Sequence, residues 1–216
     1  MPKEISLRDV EKNMFKTIFQ DGLVDIAIGG FLLVFVIGPY LTPALGDLWG
    51  TVAVFLPLWL IVFPGLWLVR RYVVRPRLGT VKYGAWRITR LKRFNVLALV
   101  LLSLSAALGV LSLVEFEAVP GWIHSARFSM IFLLTFSLAA YFLNFYRLLV
   151  YGVMIALAPV VGEVLYQYMN VPHHGFPVTF GLSAAIIILI GALNFMRFLR
   201  EHPSLDNLDD LTGGGE

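Results

Sequence analysis

Six runs of about twenty apolar residues, near 22–41, 49–69, 94–114, 128–146, 148–168 and 178–196, constrain this 216-residue chain more than anything else in it. A hydrocarbon core about 30 Å thick takes roughly 20 helical residues to cross. Backbone polar groups in lipid find partners only inside their own segment, which makes each run a helix. The expected fold is therefore all-α, a polytopic membrane bundle of six transmembrane helices over 22–200. Composition agrees, with 58% hydrophobic and only 14% charged residues against about 25% charged in a soluble domain. The ambiguous join is "YFLNFYRLLVYG", where only Asn144 and Arg147 interrupt the fourth and fifth runs. Read as one helix, the pair would extend about 60 Å, twice the core thickness. Two helices are expected, with a five-span chain as the alternative.

Charge orients the expected bundle. Between the second and third runs lies "RRYVVRPRLGTVKYGAWRITRLKR", Arg70 to Arg93, with nine basic residues and no acid. With both termini cytoplasmic, all of the 17 Lys and Arg residues except Arg127 fall on the cytoplasmic side, the bias described by the positive-inside rule. The location this implies is the cell membrane. Pro76 biases Arg75 toward an extended backbone and Gly79 permits a tight turn, so Arg75, Arg77 and Lys82 are expected to converge. Together with Arg87 and Arg90 they are the candidate surface for anionic lipid, each basic residue near the membrane being worth about 1 kcal/mol. A soluble cytoplasmic partner ranks second and a phosphate site third, because "RLGTVKYG" lacks phosphate-loop spacing. Nucleic acid is not expected without a folded basic domain to present the charge.

Ahead of the first run, Leu7, Val10, Met14, Phe15, Ile18 and Phe19 recur at helical spacing opposite Arg8, Glu11, Lys12 and Lys16. Residues 1–21 therefore read as an N-terminal interfacial amphipathic helix. Acids mixed through it, and the full spanning length of the run that follows, distinguish it from a signal peptide. The acidic, glycine-ended segment 201–216 reads as a flexible tail.

Two acids lie inside the runs, where a charge costs about 2.5 to 3.5 kcal/mol and raises a functional question. Asp25 sits one turn into the first run, within reach of Arg147 or of the basic segment. Glu163 sits late in the fifth, in "IALAPVVGEVLY", where Pro159 removes a helix hydrogen bond and Gly162 follows. That combination permits a kinked helix of the kind that lines transport sites. Their depths differ by roughly 18 Å across a 30 Å core, which argues against a carboxylate dyad. His124, His173 and His174 fall near Glu163, but adjacent histidines point apart, so neither a metal site nor a cofactor is expected. The absence of cysteine removes thiolate chemistry. Ser105 with Gly109, Gly152 with Ala156, and Gly181 with Ala185 are spaced for close packing, and are assigned to the bundle rather than to a homo-oligomer, although a second copy stays among the candidate partners.

"FQDGLVDIAIGGFLLVF" and "RPRLGTVKYG" resemble a pattern in uncharacterised prokaryotic polytopic integral membrane proteins. In that pattern an interfacial helix enters the first span through Asp-Gly-Leu, and Pro-Arg-x-Gly-x-Val-Lys follows the second. The resemblance covers about the first 90 residues and implies no activity; it draws attention to Asp21, Gly22, Asp25, Pro76, Arg77, Gly79 and Lys82. The leading expectation is a non-enzymatic membrane subunit or scaffold whose basic face meets anionic lipid or a soluble partner. A small-solute or ion transporter using Glu163 comes second, with Pro159, Gly162 and Asp25 as accessory positions. An enzyme acting on lipid head groups comes third, since no nucleophile and base can be paired.

Overall fold

The computed structural model describes residues 21–78, 85–114 and 119–203. The expected amphipathic helix, Lys82 and the acidic tail beyond 203 lie outside them. Among the described residues all regular structure is helical: α1 (Leu23–Leu45), α2 (Asp47–Val69), α3 (Ala85–Val114), α4 (Gly121–Leu143), α5 (Arg147–Met169) and α6 (Phe176–Glu201). Among the described residues six helices are long and apolar enough to cross a membrane.

The turns follow from a few residues. Gly46 alone separates α1 from α2, at φ 80° and ψ 162°, a conformation open only to glycine. Asn144 separates α4 from α5 in the left-handed region, at φ 52°, which asparagine tolerates better than other non-glycine residues. The Phe145 N–H then closes the turn on the Ala140 carbonyl at 3.1 Å. The fourth and fifth runs are thus two helices.

Burial divides the six helices unequally. α5, α1 and α6 hold most of the interior, whereas the most apolar stretch of α3 has no buried residue. α1 packs on α6 and α2, α5 packs on α4 and α6, and α3 lies outermost against α4. Lipid tails are as apolar as leucine, so association depends on close fit rather than on escape from water. The tightest fit is between α1 and α6. A Cβ on Gly22 would strike the Gly191 carbonyl oxygen, and one on Gly29 would strike the Ile188 side chain. Of the small-residue pairs, Gly152 does admit a neighbour, since a Cβ there would lie 2.5 Å from Phe136 Cβ; Gly181 is in ordinary contact with Val36, and Gly109 faces open space. Between the two ends of the bundle the core is apolar. Leu32, Ile155, Phe180 and Ile187 are fully buried, and Phe35 stacks on Phe180 at 4.7 Å.

Two expectations are corrected. The basic segment is largely helical: α2 runs on through a π turn, Arg70–Val74, into one more helical turn, Arg75–Leu78, while α3 starts at Ala85. Arg75 is helical, at φ −60° and ψ −43°, with its N–H on the Arg70 carbonyl. A proline in a first turn needs no N–H partner, and the wider π turn ahead of it absorbs the clash Pro76 would otherwise cause. Second, α4 starts at Gly121 after Pro120, ahead of the expected 128, so His124 and Arg127 lie within the helix. The fifth span is a single helix from Arg147 to Met169 with Pro159 inside it.

Candidate functional site

Polar side chains gather at the two ends of α5. At its first turns, Arg147 Nη1 donates to Asp25 Oδ2 on α1 at 2.9 Å. Asp25 is completely buried, while the Arg147 side chain is 30% exposed. Such an arginine buries its stem and keeps its head near the membrane surface. Asn194 Nδ2 of α6 reaches the same oxygen at 3.4 Å. Tyr151, 2% exposed, sets its hydroxyl beside Asp25 and Arg147 but outside hydrogen-bond geometry. Asp21, also fully buried, accepts the Leu23 N–H at 3.0 Å. Burial pushes the Asp21 carboxyl up to about 6, against the opposing pull of the Leu23 N–H and of Arg70.

Gly22 brings these acids to α6. Its φ of 79° turns the chain into α1, and its missing side chain allows the approach to Gly191. The π extension of α2 is fixed at the same end, because Val74 is buried with Leu23 and Phe198 against Leu66 and Val69.

At the other end of α5, Glu163 is 7% exposed. His174 Nδ1 lies 2.9 Å from its Oε2, and Gln167 Nε2 donates to Oε1 at 3.1 Å. The carboxylate also rests against the start of α4, where a Cβ on Gly121 would come 3.1 Å from Glu163 Oε1. His173, His174 and Gly175 all have positive φ, a left-handed turn that costs a non-glycine residue roughly 1–2 kcal/mol. Gly162 permits that turn to sit on α5, since a Cβ there would lie 2.6 Å from the His174 carbonyl oxygen.

The expected site residues are thus distributed as follows. Asp25 meets Arg147, one of its two anticipated partners. Glu163 shares α5 with the buried Pro159 and Gly162 and stands apart from Asp25. His173 turns to Tyr40, with ring centroids 5.1 Å apart, while His174 turns to Glu163, so the two do point apart. Among the described residues no group of three His, Asp or Glu could hold a metal. Arg75 and Arg77 ride on the helical extension of α2. Of Arg87 and Arg90 only the backbone, in α3, is described.

Sequence reasoning missed the burial of Asp21 and of Tyr151, and missed Gln167 and Asn194 altogether. The first three had a signal, because each stands four residues from a residue already singled out: Asp25, Arg147 and Glu163. That spacing puts Tyr151 with Arg147, and Gln167 with Glu163, on one helix face, whereas Asp21 precedes α1 and comes near Asp25 through the turn at Gly22. Asn194 was visible as an amide inside an apolar run. Comparison with known protein families, with characterised proteins and with solved structures returns no match for this chain.

Proposed function

We propose that this chain is a non-enzymatic integral membrane subunit or scaffold whose basic end engages anionic lipid. One observation carries the reading. Arg77, on the helical extension of α2, has Nε and Nη1 buried without a hydrogen-bond partner among the described residues. A guanidinium so placed is costly unless an anion meets it. The extension is held by the buried Val74, so Arg75 and Arg77 are presented by a fixed helix rather than a loose loop. The apolar, phenylalanine-filled interior between the two polar clusters is further support, as it suits a structural bundle better than a conduit. In this orientation the basic end is cytoplasmic, as the charge bias requires.

The test is thermal stability in nanodiscs of phosphatidylglycerol against phosphatidylcholine. The anionic lipid is expected to raise the melting temperature of the unmutated chain, and the triple reversal Arg75→Glu, Arg77→Glu, Lys82→Glu to remove about 6–12 °C of that gain, three contacts of about 1 kcal/mol each. Equal stabilisation of both chains overturns the reading.

A second reading, a small-solute or ion transporter, draws on a different observation: a buried acid, Glu163, faces a left-handed turn whose strain is of the sort kept at functional sites. Proteoliposome flux through wild type and Glu163→Gln decides it, because equal flux removes Glu163 from any mechanism.

A further inference from the structure

We infer that the groove between α2 and α4, floored by α1, holds one acyl chain of an anionic glycerophospholipid whose phosphate sits at Arg70. This deepens the proposed lipid contact and rests on it. The groove encloses about 450 Å³, within the roughly 300–1,000 Å³ of small-molecule sites. Ala27 and Phe31 of α1, Trp59 and Phe63 of α2, and Phe136 of α4 line it, and Arg70 closes one end. The walls are apolar and the one charged residue is cationic, which is the pattern of a lipid with its tail inward and its anionic head at the rim.

Length supports the same occupant. Trp59 and Arg70 are eleven residues apart on α2, about 16 Å along the axis, which is close to one leaflet of a roughly 30 Å core. A chain anchored at Arg70 would therefore lie along the groove to about mid-membrane. The rim has the chemistry of an interface: Trp67 also lines the groove, and the Arg71 guanidinium lies 5.0 Å from the Trp67 ring and 5.7 Å from the Tyr72 ring. Amphipathic rings of this kind collect at head-group level. Phe136 reaches the groove because Gly152 gives it room on α5, so the far wall depends on a specific close contact.

Native mass spectrometry of the full chain, titrated with phosphatidylglycerol or phosphatidylcholine, tests the assignment. The wild type is expected to retain phosphatidylglycerol more strongly. Arg70→Gln should weaken that retention about fivefold, the equivalent of one phosphate contact near 1 kcal/mol, and weaken phosphatidylcholine less, because its choline already offsets the phosphate charge. Ala27→Phe, which fills the groove, should lower retention of both lipids, whereas Leu182→Phe on the exposed face of α6 should alter neither. A second measurement needs no variant: acyl-brominated phosphatidylglycerol should quench tryptophan emission at lower lipid ratios than the brominated phosphatidylcholine. Undiminished retention in Ala27→Phe, or equal quenching by the two lipids, overturns the groove. If the Arg75, Arg77, Lys82 reversal still abolishes anionic stabilisation in that case, the basic face survives and only the groove is wrong.

Discussion

The two polar clusters on α5 hold one buried acid each in a direct pair, yet they are built in different ways. Asp25 is fixed from three helices, by Arg147 of α5 and Asn194 of α6 around a position on α1. Glu163 takes Gln167 from its own helix and His174 from a turn, and that histidine side chain is 47% exposed. The first arrangement ties helices together. The second ties a strained connection to one helix, and its partner stands at the surface where it can be exchanged. Position along the same helix therefore separates a clamp from a site that can change partners.

The sharpest test of this contrast is Arg147→Met. Removing the cation leaves Asp25 buried beside Asn194 and Tyr151, and breaking one side of a buried pair costs about 3–5 kcal/mol. Chemical or thermal denaturation in detergent should register that loss, and Asp25→Asn added to Arg147→Met should recover much of it. An Arg147→Met loss below about 1 kcal/mol would mean that the pair is not a clamp.

Asp21 gives a test of the same end with a pH sign. Its carboxyl stands at about 6 when folded against the usual 3.8, because it is buried. Between those values the folded chain holds a proton that the unfolded chain has released, so stability is greatest below about pH 4 and falls as pH rises through 6. The charged groups facing it are Arg70, Asp25 and Arg147. About two units correspond to roughly 3 kcal/mol. Asp21→Asn retains an acceptor for the Leu23 N–H and carries no charge, so it should flatten the melting profile between pH 4 and 7 and stabilise the chain at neutral pH. An unchanged slope would place the titration elsewhere.

Much of this architecture was readable beforehand, and the unread parts have physical causes. The six spans follow from apolar run length, and the α4–α5 break from the improbability of a 60 Å helix. Which helices are central was not readable. α2 and α3 are as apolar as α5, yet they are nearly bare while half of the apolar stretch of α5 is buried. In lipid an outward leucine and an inward one look alike, so hydropathy gives the spans without their depth in the bundle. Depth is signalled by residues that permit contact, such as Gly22, Gly152 and Gly162, but spacing picks out Gly109 just as readily, and a Cβ there would meet nothing among the described residues. The π turn at Arg70–Val74 was hidden because the bias that proline places on its predecessor was outweighed by the buried anchor at Val74. Asp25 and Glu163 stood out as acids in apolar runs. Of their less visible supporting residues, Gln167 lies four residues along the helix of Glu163, whereas Tyr151 and Asn194 reach Asp25 from α5 and α6.

The strained end has its own packing test in Gly162→Ala. The added methyl would meet the His174 carbonyl oxygen first, at 2.6 Å, and the Phe176 ring next, at 3.1 Å, at an overpacking cost of about 1–3 kcal/mol. The change should be local: hydrogen exchange should rise over 172–176 and stay unchanged around Asp25 and Arg147. Exchange rising equally at both ends would show that the clusters are not independent.

The smallest expected effect is that of Glu163→Gln, below about 1 kcal/mol. The amide keeps an oxygen for the Gln167 donor and offers an N–H to His174 Nδ1 when that nitrogen is unprotonated, so no buried group is left without a partner. Asp25 has no such freedom, since its main partner is a guanidinium with donors only and an amide there would strand a cation. If Glu163→Gln cost as much as Arg147→Met in the same melt, Glu163 would be as structural as Asp25, and the exposed His174 would be a lock rather than an exchangeable partner. A near-silent substitution instead leaves the acid available for work that stability does not measure, which the flux assay then reads directly.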